Sequence, residues 1–215
     1  MTRDSLTVSS QERRPQIHAH VERHLGPITR TFQANGIDIL CVDAAVDHPV
    51  HTLVTAGMSD VPMDTGGKKN APARIELMMT LPERWKMDGL TDTRPDYWPI
   101  RVLAELASLP QKTGRALAWG DVIPNGNPPV PYAKGSALCG VIVAPSLLVP
   151  KEFYSLDTGT HHIEFYAAIP LYREELAART EQGMEFLLTR LLEHRVNDLI
   201  DPSRRNVMKK RFGFF

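Results

Sequence analysis

The chain has 215 residues, of which 42% are hydrophobic and 23% are charged, as in ordinary globular proteins. A chain of this length can bury a core without disulfide or metal support. Lys and Arg together number 25, and so do Asp and Glu, which gives a formal net charge of zero. This balance argues against a dedicated nucleic-acid-binding protein, because such proteins gain most of their affinity by neutralising phosphates.

The sequence also bears on location. Its N-terminal residues lack the apolar run of a signal peptide, and no run of 18 apolar residues could span a bilayer. We therefore expect a cytoplasmic protein.

The two cysteines, Cys41 and Cys139, lie in apolar runs, where a thiol behaves as a small hydrophobic group. Both are expected to be reduced and buried.

A helix is predicted near the N-terminus. Residues 1–8 are polar and expected to be frayed. Ser9 and Glu12 have the spacing of a capping box, in which two side chains bond the free backbone N–H groups of a helix start. Gly26 would end the helix. Its buried face would consist of Ile17, Val21 and Leu25.

Three strands are predicted in the first half of the chain, over residues 37–46, 52–56 and 74–81. The last of them alternates between apolar and polar residues, which is the pattern of a strand with one buried face. Its apolar residues would face the core, whereas Glu76 and Thr80 would face solvent.

The second half begins with a predicted helix at Trp98 and Pro99, since proline at the first helical position costs no hydrogen bond. Pro110 would end this helix. Further strands are predicted over 116–123, 137–144 and 162–169. Two helices would follow, over 172–181 and 184–192. The second helix carries a wide apolar stripe formed by Met184, Leu187, Leu188, Leu191 and Leu192.

These elements predict an α+β fold with one mixed, mostly antiparallel sheet of about six strands packed against helices. Since no linker or repeat is visible, we expect one domain over residues 9–206, followed by a basic and aromatic tail at 207–215. Two long segments without predicted structure, 58–72 and 124–135, are candidates for a binding surface, because long loops in compact domains are often functional.

Two motifs of catalytic sites are incomplete. Gly57 and Ser59 begin like a nucleophile elbow, but Val61 stands where that turn requires glycine. Residues 66–68 resemble the end of a phosphate-binding loop that lacks its first glycine and its Ser/Thr. Neither motif predicts catalysis, and no cofactor is expected.

Two histidines of the first predicted helix have a spacing that can bind a metal. His20 and His24 lie one helical turn apart, a spacing that can bind zinc through two imidazoles. No carboxylate or cysteine follows at a companion spacing, so we expect exposed helix histidines and no metal. His162 and Glu164 share one face of a predicted strand and are expected to form a structural pair.

Several segments, taken in order, resemble the suppressor-of-fused (SUFU) family. They lie at residues 56–60, 74–77, 81–82, 97–100, 119–124, 141–150, 163–165, 169–176 and 201–205. No single segment is specific, whereas the ordered set is. The resemblance implies an α+β domain that binds another protein, as animal members bind and restrain a transcription factor.

The chain looks like the short bacterial form of that family, which has a single domain. This resemblance implies an immunity protein or antitoxin that neutralises a toxin by binding it. The candidate partner is a toxin encoded by a neighbouring gene; no membrane partner is expected, and nucleic acid is disfavoured. Together with the incomplete motifs, the resemblance predicts that the protein is not an enzyme.

The resemblance also implies partner-binding residues. Asp121 matches a family position at the partner groove, and Trp119 precedes it on the same segment. The neighbouring groove position, an aromatic in animal members, falls near Leu109, which argues against the animal type of peptide ligand. A free Asp121 carboxylate would contact a basic group of the partner. From chemistry alone, Asp121 could instead bond backbone N–H groups in the turn after Gly120.

Other matched positions are expected to be structural. Gly57 would supply an unusual φ, and the side chains of Ser59 and Asp60 would bond nearby backbone. Trp98 and Pro99 belong to the same structural group, as does the glycine before Asp121.

Two other functions stay open at this point. One is an enzyme without a linear motif, with a site built from Asp121, Glu76 and His162. A deep cleft in which these side chains converge would favour it. The other is a structural subunit of a larger assembly.

Overall fold

The computed structural model describes residues 3–66 and 71–209, with side chains from residue 13 onward. This part of the chain forms eight strands and four helices. The helices are α1 Arg3–Leu25, α2 Trp98–Thr113, α3 Arg173–Gln182 and α4 Met184–Glu193. The strands are β1 Ile28–Ala34, β2 Ile37–Val42, β3 Val50–Ala56, β4 Ile75–Pro82, β5 Val122–Pro124, β6 Leu138–Ala144, β7 Ser155–Asp157 and β8 His162–Tyr172.

The strands form one mixed sheet. Its order is β1-β2-β3-β4-β8-β6-β5, and β7 also pairs with β8. β4 and β8 run parallel at the centre of the sheet, and the other pairs of described strands are antiparallel. The predicted α+β fold with one mixed sheet is confirmed, although the sheet has two strands more than the six expected.

Helices cover both faces of the sheet. α2 packs on one face, in a cluster with alternate residues of β4 such as Leu77 and Met79. α1 and α4 contribute to a second cluster, in which Ile17 and Leu187 are fully buried. Successive residues of a strand point to opposite faces, so the two clusters lie on opposite sides of the sheet.

The coverage of both faces corrects one prediction. Glu76 and Thr80 do alternate with the apolar residues of β4, as the sequence pattern indicated, but both are fully buried instead of exposed. The pattern within one strand shows which residues share a face. It does not show that another helix covers the opposite face, and here α1 lies on that side of the sheet.

The predicted start of the first helix was wrong. α1 begins at Arg3, before the proposed capping box at Ser9 and Glu12, and it contains Pro15. Residues 3–8 are therefore helical. The predicted buried face of this helix agrees with the structure, since that face depends on the spacing of the apolar residues and not on the start of the helix.

The predicted end of the second helix was also wrong. α2 continues past Pro110 to Thr113. Proline lacks an N–H, but its carbonyl can still accept a bond, and Gly114 N–H donates to the Pro110 carbonyl at 2.8 Å. Proline therefore lies in the last turn of the helix, and Gly114, with a φ of 67°, ends it.

Most strand predictions are confirmed, with shifted bounds. The predictions over 52–56, 74–81, 137–144 and 162–169 correspond to β3, β4, β6 and β8. The strand predicted over 37–46 ends at Val42, and the one over 116–123 is extended from Val122 onward. Ala116 and Leu117 are buried in the α2-side cluster without strand pairing, so their apolar character reflects core packing. β1 and β7 were not predicted.

The C-terminal helices are confirmed as α3 and α4, with Tyr172 as the last residue of β8. Leu187 and Leu191 of α4 are buried, whereas Leu192 is 64% exposed. The apolar stripe of α4 is therefore narrower than the sequence pattern indicated.

Cys41 and Cys139 are free and buried, as predicted. Burial, together with the nearby Asp43 carboxylate, raises the pKa of the Cys41 thiol to about 12. A thiol with such a pKa stays protonated and unreactive at neutral pH. Among the residues that the structure describes, no helix combines the length and the apolar character needed to cross a membrane.

Candidate partner-binding surface

The segment between α2 and β5 forms a tight turn around Asp121. The Asp121 N–H donates to the Ala118 carbonyl at 3.1 Å, and Asp121 Oδ2 accepts a bond from the Ala118 N–H at 2.9 Å. Asp121 Oδ1 accepts a bond from the Arg115 guanidinium at 3.2 Å. Both carboxylate oxygens are thus engaged within the chain, which is the alternative that chemistry alone had left open for this residue.

Backbone bonds fix this turn to the sheet. Gly120 N–H donates to the Val143 carbonyl at 2.8 Å, and Val143 N–H donates to the Asp121 carbonyl at 2.9 Å. Gly120 has a φ of 85°, a region that glycine adopts without strain. The turn therefore has a defined position relative to β6.

Trp119 lies at the outer side of this turn. Its side chain is 63% exposed, and Val130, in the long loop after β5, is 52% exposed. Tryptophan combines a large apolar surface with an indole N–H and is enriched at protein interfaces. Trp119 is therefore a candidate anchor for a bound protein.

A cleft of about 500 Å³ lies between the turn and α3; we name it the Asp121 cleft. Arg115, Asp121 and Pro129 line one side. Arg173, Leu176 and Arg179 of α3 line the other side. The cleft thus combines apolar surface with three guanidinium groups and one carboxylate.

Leu109 lies elsewhere. It is half-buried and packs against the hydrophobic cluster on the α2 side of the sheet. Leu109 does not line the Asp121 cleft. The predicted partner-binding set is therefore divided: Trp119 and Asp121 are neighbours on one turn, and Leu109 belongs mainly to the core.

A buried carboxylate organises the turn after β3. Glu76 Oε1 accepts bonds from the N–H groups of Gly57 and Ser59, both at 3.0 Å, and from the Ser59 hydroxyl at 2.7 Å. Glu76 Oε2 accepts a bond from the Thr55 hydroxyl at 2.5 Å. Burial raises the pKa of Glu76, and these four hydrogen bonds act in the opposite direction. Gly57 has a φ of 130°, which favours glycine.

Asp60 has a different role from the one that the sequence suggested. Its Oδ2 accepts bonds from Arg14 Nε and from an Arg14 terminal nitrogen, at 3.0 and 2.9 Å. Arg14 also donates to Asp38 at 2.8 Å. Asp60 thereby ties the turn to α1 through an ion pair, and Ser59 bonds the Glu76 carboxylate instead of nearby backbone.

The start of α2 is an aromatic cluster. Trp98 is 2% exposed, and its ring stacks on Tyr132 with a centroid distance of 5.2 Å. Trp85 approaches Trp98 edge to face at 6.2 Å. Pro99 follows at a buried position in the first turn of the helix. These contacts give Trp98 and Pro99 a place in the core.

The histidines of α1 do not match the exposed pair that was predicted. His20 is 7% exposed, stacks on Phe153 at 4.9 Å and has its Nε2 3.1 Å from the Phe153 carbonyl oxygen. Burial lowers the pKa of His20. Within the described residues, no group of three or more His, Cys, Asp or Glu side chains could hold a metal ion.

The enzyme site considered from the sequence is not assembled in one place. Glu76 is buried and bonded to the turn after β3. Asp121 lines its own cleft. His162 lies in another depression, together with Arg74, and its Nε2 is 4.0 Å from a Glu164 oxygen. These three residues therefore occupy three separate environments.

The fold and the surface together define an α+β scaffold with a solvent-facing cleft beside the edge of its sheet. Residues 33–205 match the family model described as suppressor of fused protein (SUFU). The chain therefore belongs to the SUFU family, which confirms the resemblance noted in its sequence. A comparison with curated proteins gave no match.

Solved structures share the fold at low sequence identity. A protein described as a SUFU homologue from Neisseria gonorrhoeae aligns with a TM-score of 0.66 and 15% identity, over 93% of this chain and 99% of that one. A Sufu–Fu complex structure gives 0.58 and 16%, over 94% and 91%. Drosophila Suppressor of Fused gives 0.54 and 18%, over 80% of this chain and 42% of that one.

The sequence had not singled out the arginines of the Asp121 cleft. A signal was nevertheless present, because Arg173, Leu176, Ala177 and Thr180 follow the i, i+3, i+4, i+7 spacing of one helix face. All four line the cleft. What the spacing could not show is that this face lies opposite Asp121, more than 50 residues earlier in the chain.

Proposed function

We propose that this chain is a protein-binding module of the bacterial immunity type, which neutralises a toxin by binding it. The toxin would be the product of a neighbouring gene, and the encounter would take place in the cytoplasm. Neutralisation would require no catalysis by this chain. Two free buried thiols agree with a reducing compartment.

The observation that carries this proposal is Trp119. Tryptophan is among the residue types enriched at the few positions that dominate the affinity of protein interfaces. Trp119 is 63% exposed, yet its turn is held by the bonds of Gly120 and Asp121 to β6 and Ala118. Because the backbone of this turn is already fixed, little backbone conformational entropy is lost when a partner covers it.

Family membership supports the same proposal. A Sufu–Fu complex has been solved for a protein of this fold, and the fold also occurs in a protein from a bacterium. A role as a toxin-binding protein would need a stable scaffold with one partner surface. The Asp121 cleft and Trp119 offer such a surface.

The first test measures binding to the product of the adjacent gene, with two matched variants. Trp119→Ala should weaken binding by about 30-fold or more, as expected for a residue that contributes about 2 kcal/mol. Leu192→Ala is the control, because Leu192 is exposed to nearly the same extent, 64%, on α4. Both variants should melt within a few degrees of the wild type. Equal binding by both variants would remove Trp119 from the interface.

A second test separates binding from catalysis. The activity of the toxin is measured while the protein is titrated into it. A binder lowers the toxin activity in proportion to the amount added and reaches complete inhibition only at one equivalent, because each molecule occupies one toxin molecule. Complete loss of toxin activity at a small fraction of an equivalent would instead show turnover, and would restore the enzyme alternative.

A further inference from the structure

We infer that the Asp121 cleft receives an acidic segment of the partner, in which a carboxylate lies next to an apolar side chain. This inference rests on the proposed function, because it names the chemistry of the partner at the same surface. It reverses the expectation from the sequence, in which Asp121 faced a basic group of the partner.

Both oxygens of the Asp121 carboxylate are already bonded within the chain. One of its oxygens accepts the Ala118 N–H at 2.9 Å, and the other accepts a bond from Arg115 at 3.2 Å. Its side chain is 18% exposed, whereas that of Arg115 is 66% exposed. A partner therefore meets the guanidinium of this pair more readily than the carboxylate.

Two further arginines supply positive charge that the chain does not neutralise. Among the described residues, Arg173 and Arg179 form no salt bridge; Arg173 donates a hydrogen bond to the uncharged Pro129 carbonyl. Two of the three acids of α3 are engaged elsewhere: Glu175 pairs with Arg204 at 2.6 Å, and Glu174 lies 3.8 Å from Lys209. The third, Glu181, does not line the cleft. The charge that lines the cleft is thus three arginines against one aspartate.

Arg179 lines the cleft with a partly buried side chain, and Arg173 lines it at an exposed position. A carboxylate in the cleft can meet the guanidinium groups that line it, and Arg–carboxylate pairs are among the strongest hydrogen-bonded contacts.

The apolar part of the cleft defines the rest of the ligand. Val122, Leu176 and Ala177 line it between the charged groups, so an apolar side chain of the partner can be buried beside the carboxylate. The volume of about 500 Å³ falls within the range of pockets that hold ligands of small-molecule size. A short stretch of alternating acidic and apolar residues satisfies both requirements.

The test uses three fluorescently labelled probes in fluorescence anisotropy. They are a peptide of eight alternating Leu and Glu residues, a matched peptide of Leu and Lys, and a single-stranded oligothymidine of eight nucleotides. The Leu/Glu peptide should bind at least tenfold more tightly than the Leu/Lys peptide, and salt should weaken this binding. Equal or tighter binding of the Leu/Lys peptide would overturn the inference.

Charge-reversal variants test whether the Leu/Glu peptide binds in the Asp121 cleft. Arg173→Glu combined with Arg179→Glu should weaken binding of the Leu/Glu peptide at least tenfold. Arg84→Glu is the control, because the Arg84 side chain is 76% exposed and does not line the cleft. Since Arg179 is partly buried, Arg173→Glu alone, at an exposed position, serves if the double variant melts early, and a loss of at least threefold is then expected. No loss in either variant would overturn the inference.

The outcomes distinguish this inference from the proposed function. If the arginine variants leave binding of the neighbouring gene product unchanged while Trp119→Ala abolishes it, the acidic-segment inference fails and the proposed function stands. If the wild-type chain does not bind the neighbouring gene product at all, the proposed function fails. Binding of the oligothymidine that is lost in the arginine variants would assign the cleft to nucleic acid and would overturn the inference as well.

Discussion

The most informative stability experiment replaces Glu76, the buried acceptor at the turn after β3. In Glu76→Ala, the N–H groups of Gly57 and Ser59 lose their shared acceptor. Each buried N–H without a partner costs about 1–3 kcal/mol. The two hydroxyl donors can rotate, and removal of a desolvated charge offsets part of the loss. We therefore expect Glu76→Ala to lower the free energy of unfolding by about 3 kcal/mol.

Glu76→Gln is the matched variant, because it removes the charge and keeps a carbonyl oxygen as acceptor. We expect it to cost about 1 kcal/mol, since one hydrogen bond of ordinary strength is disturbed. Urea unfolding with linear extrapolation measures both losses. If Glu76→Ala were as stable as Glu76→Gln, the Oε1 contacts would not stabilise this turn, and the reasoning would be refuted.

The pH dependence gives an independent check. Burial raises the pKa of Glu76 in the folded state above its usual value of 4.5, so the folded protein holds this proton more tightly than the unfolded chain does. The resulting stabilisation is complete below the usual pKa and is lost as the pH rises through the folded-state pKa. Glu76→Gln does not ionise. The stability difference between wild type and Glu76→Gln should therefore shrink from pH 4 to pH 7; a difference that grows would mean that the hydrogen bonds outweigh burial.

Two further predictions concern the core and metals. Leu187→Ala should lower the free energy of unfolding by about 2–5 kcal/mol, because Leu187 is fully buried in the hydrophobic cluster on the α1 side of the sheet and its removal leaves a cavity. Leu192→Ala, at a 64% exposed position of the same helix, should cost no more than about 0.5 kcal/mol, and a similar loss in both would contradict the packing described for α4. Elemental analysis should find no stoichiometric zinc, and a chelator should leave the melting temperature unchanged, since a structural metal contributes folding free energy outright. One equivalent of zinc would contradict this.

The sequence was sufficient for the fold class because the long periodic segments were clear. The alternation that predicts β8 covers eight residues, 162–169, and the apolar stripe that predicts α4 covers nine, 184–192. β1 was missed although its residues alternate between half-buried and exposed, because it lies at the edge of the sheet and lacks a strongly apolar face. Residues 116–121 show the opposite error. They were predicted as part of a strand because of their apolar residues, but the buried apolar residues there belong to a loop.

The site was predicted in part. The resemblance to the SUFU family directed attention to Asp121 and Trp119, which do lie together on one turn. The charge of the surface could not be predicted, because it depends on Arg173 and Arg179 of α3, which follow in the chain by more than 50 residues. The hydrogen-bond partners of the Asp121 carboxylate could not be predicted either, since the local sequence is the same whether this acid bonds within the turn or faces solvent.

The parallel pair at the centre of the sheet has a consequence for how the chain folds. β1 to β4 form an antiparallel meander from neighbouring segments, and β6 pairs with both β5 and β8 on the other side. Ile75 of β4 is paired with Glu164 of β8, so the two halves join through residues that are far apart in sequence. Such long-range pairing slows folding, because the loop must be closed before its contacts form. The Asp121 cleft is lined only by residues of the later half, whose strands β5, β6 and β8 pair with one another, so its formation does not depend on the pairing of β4 with β8.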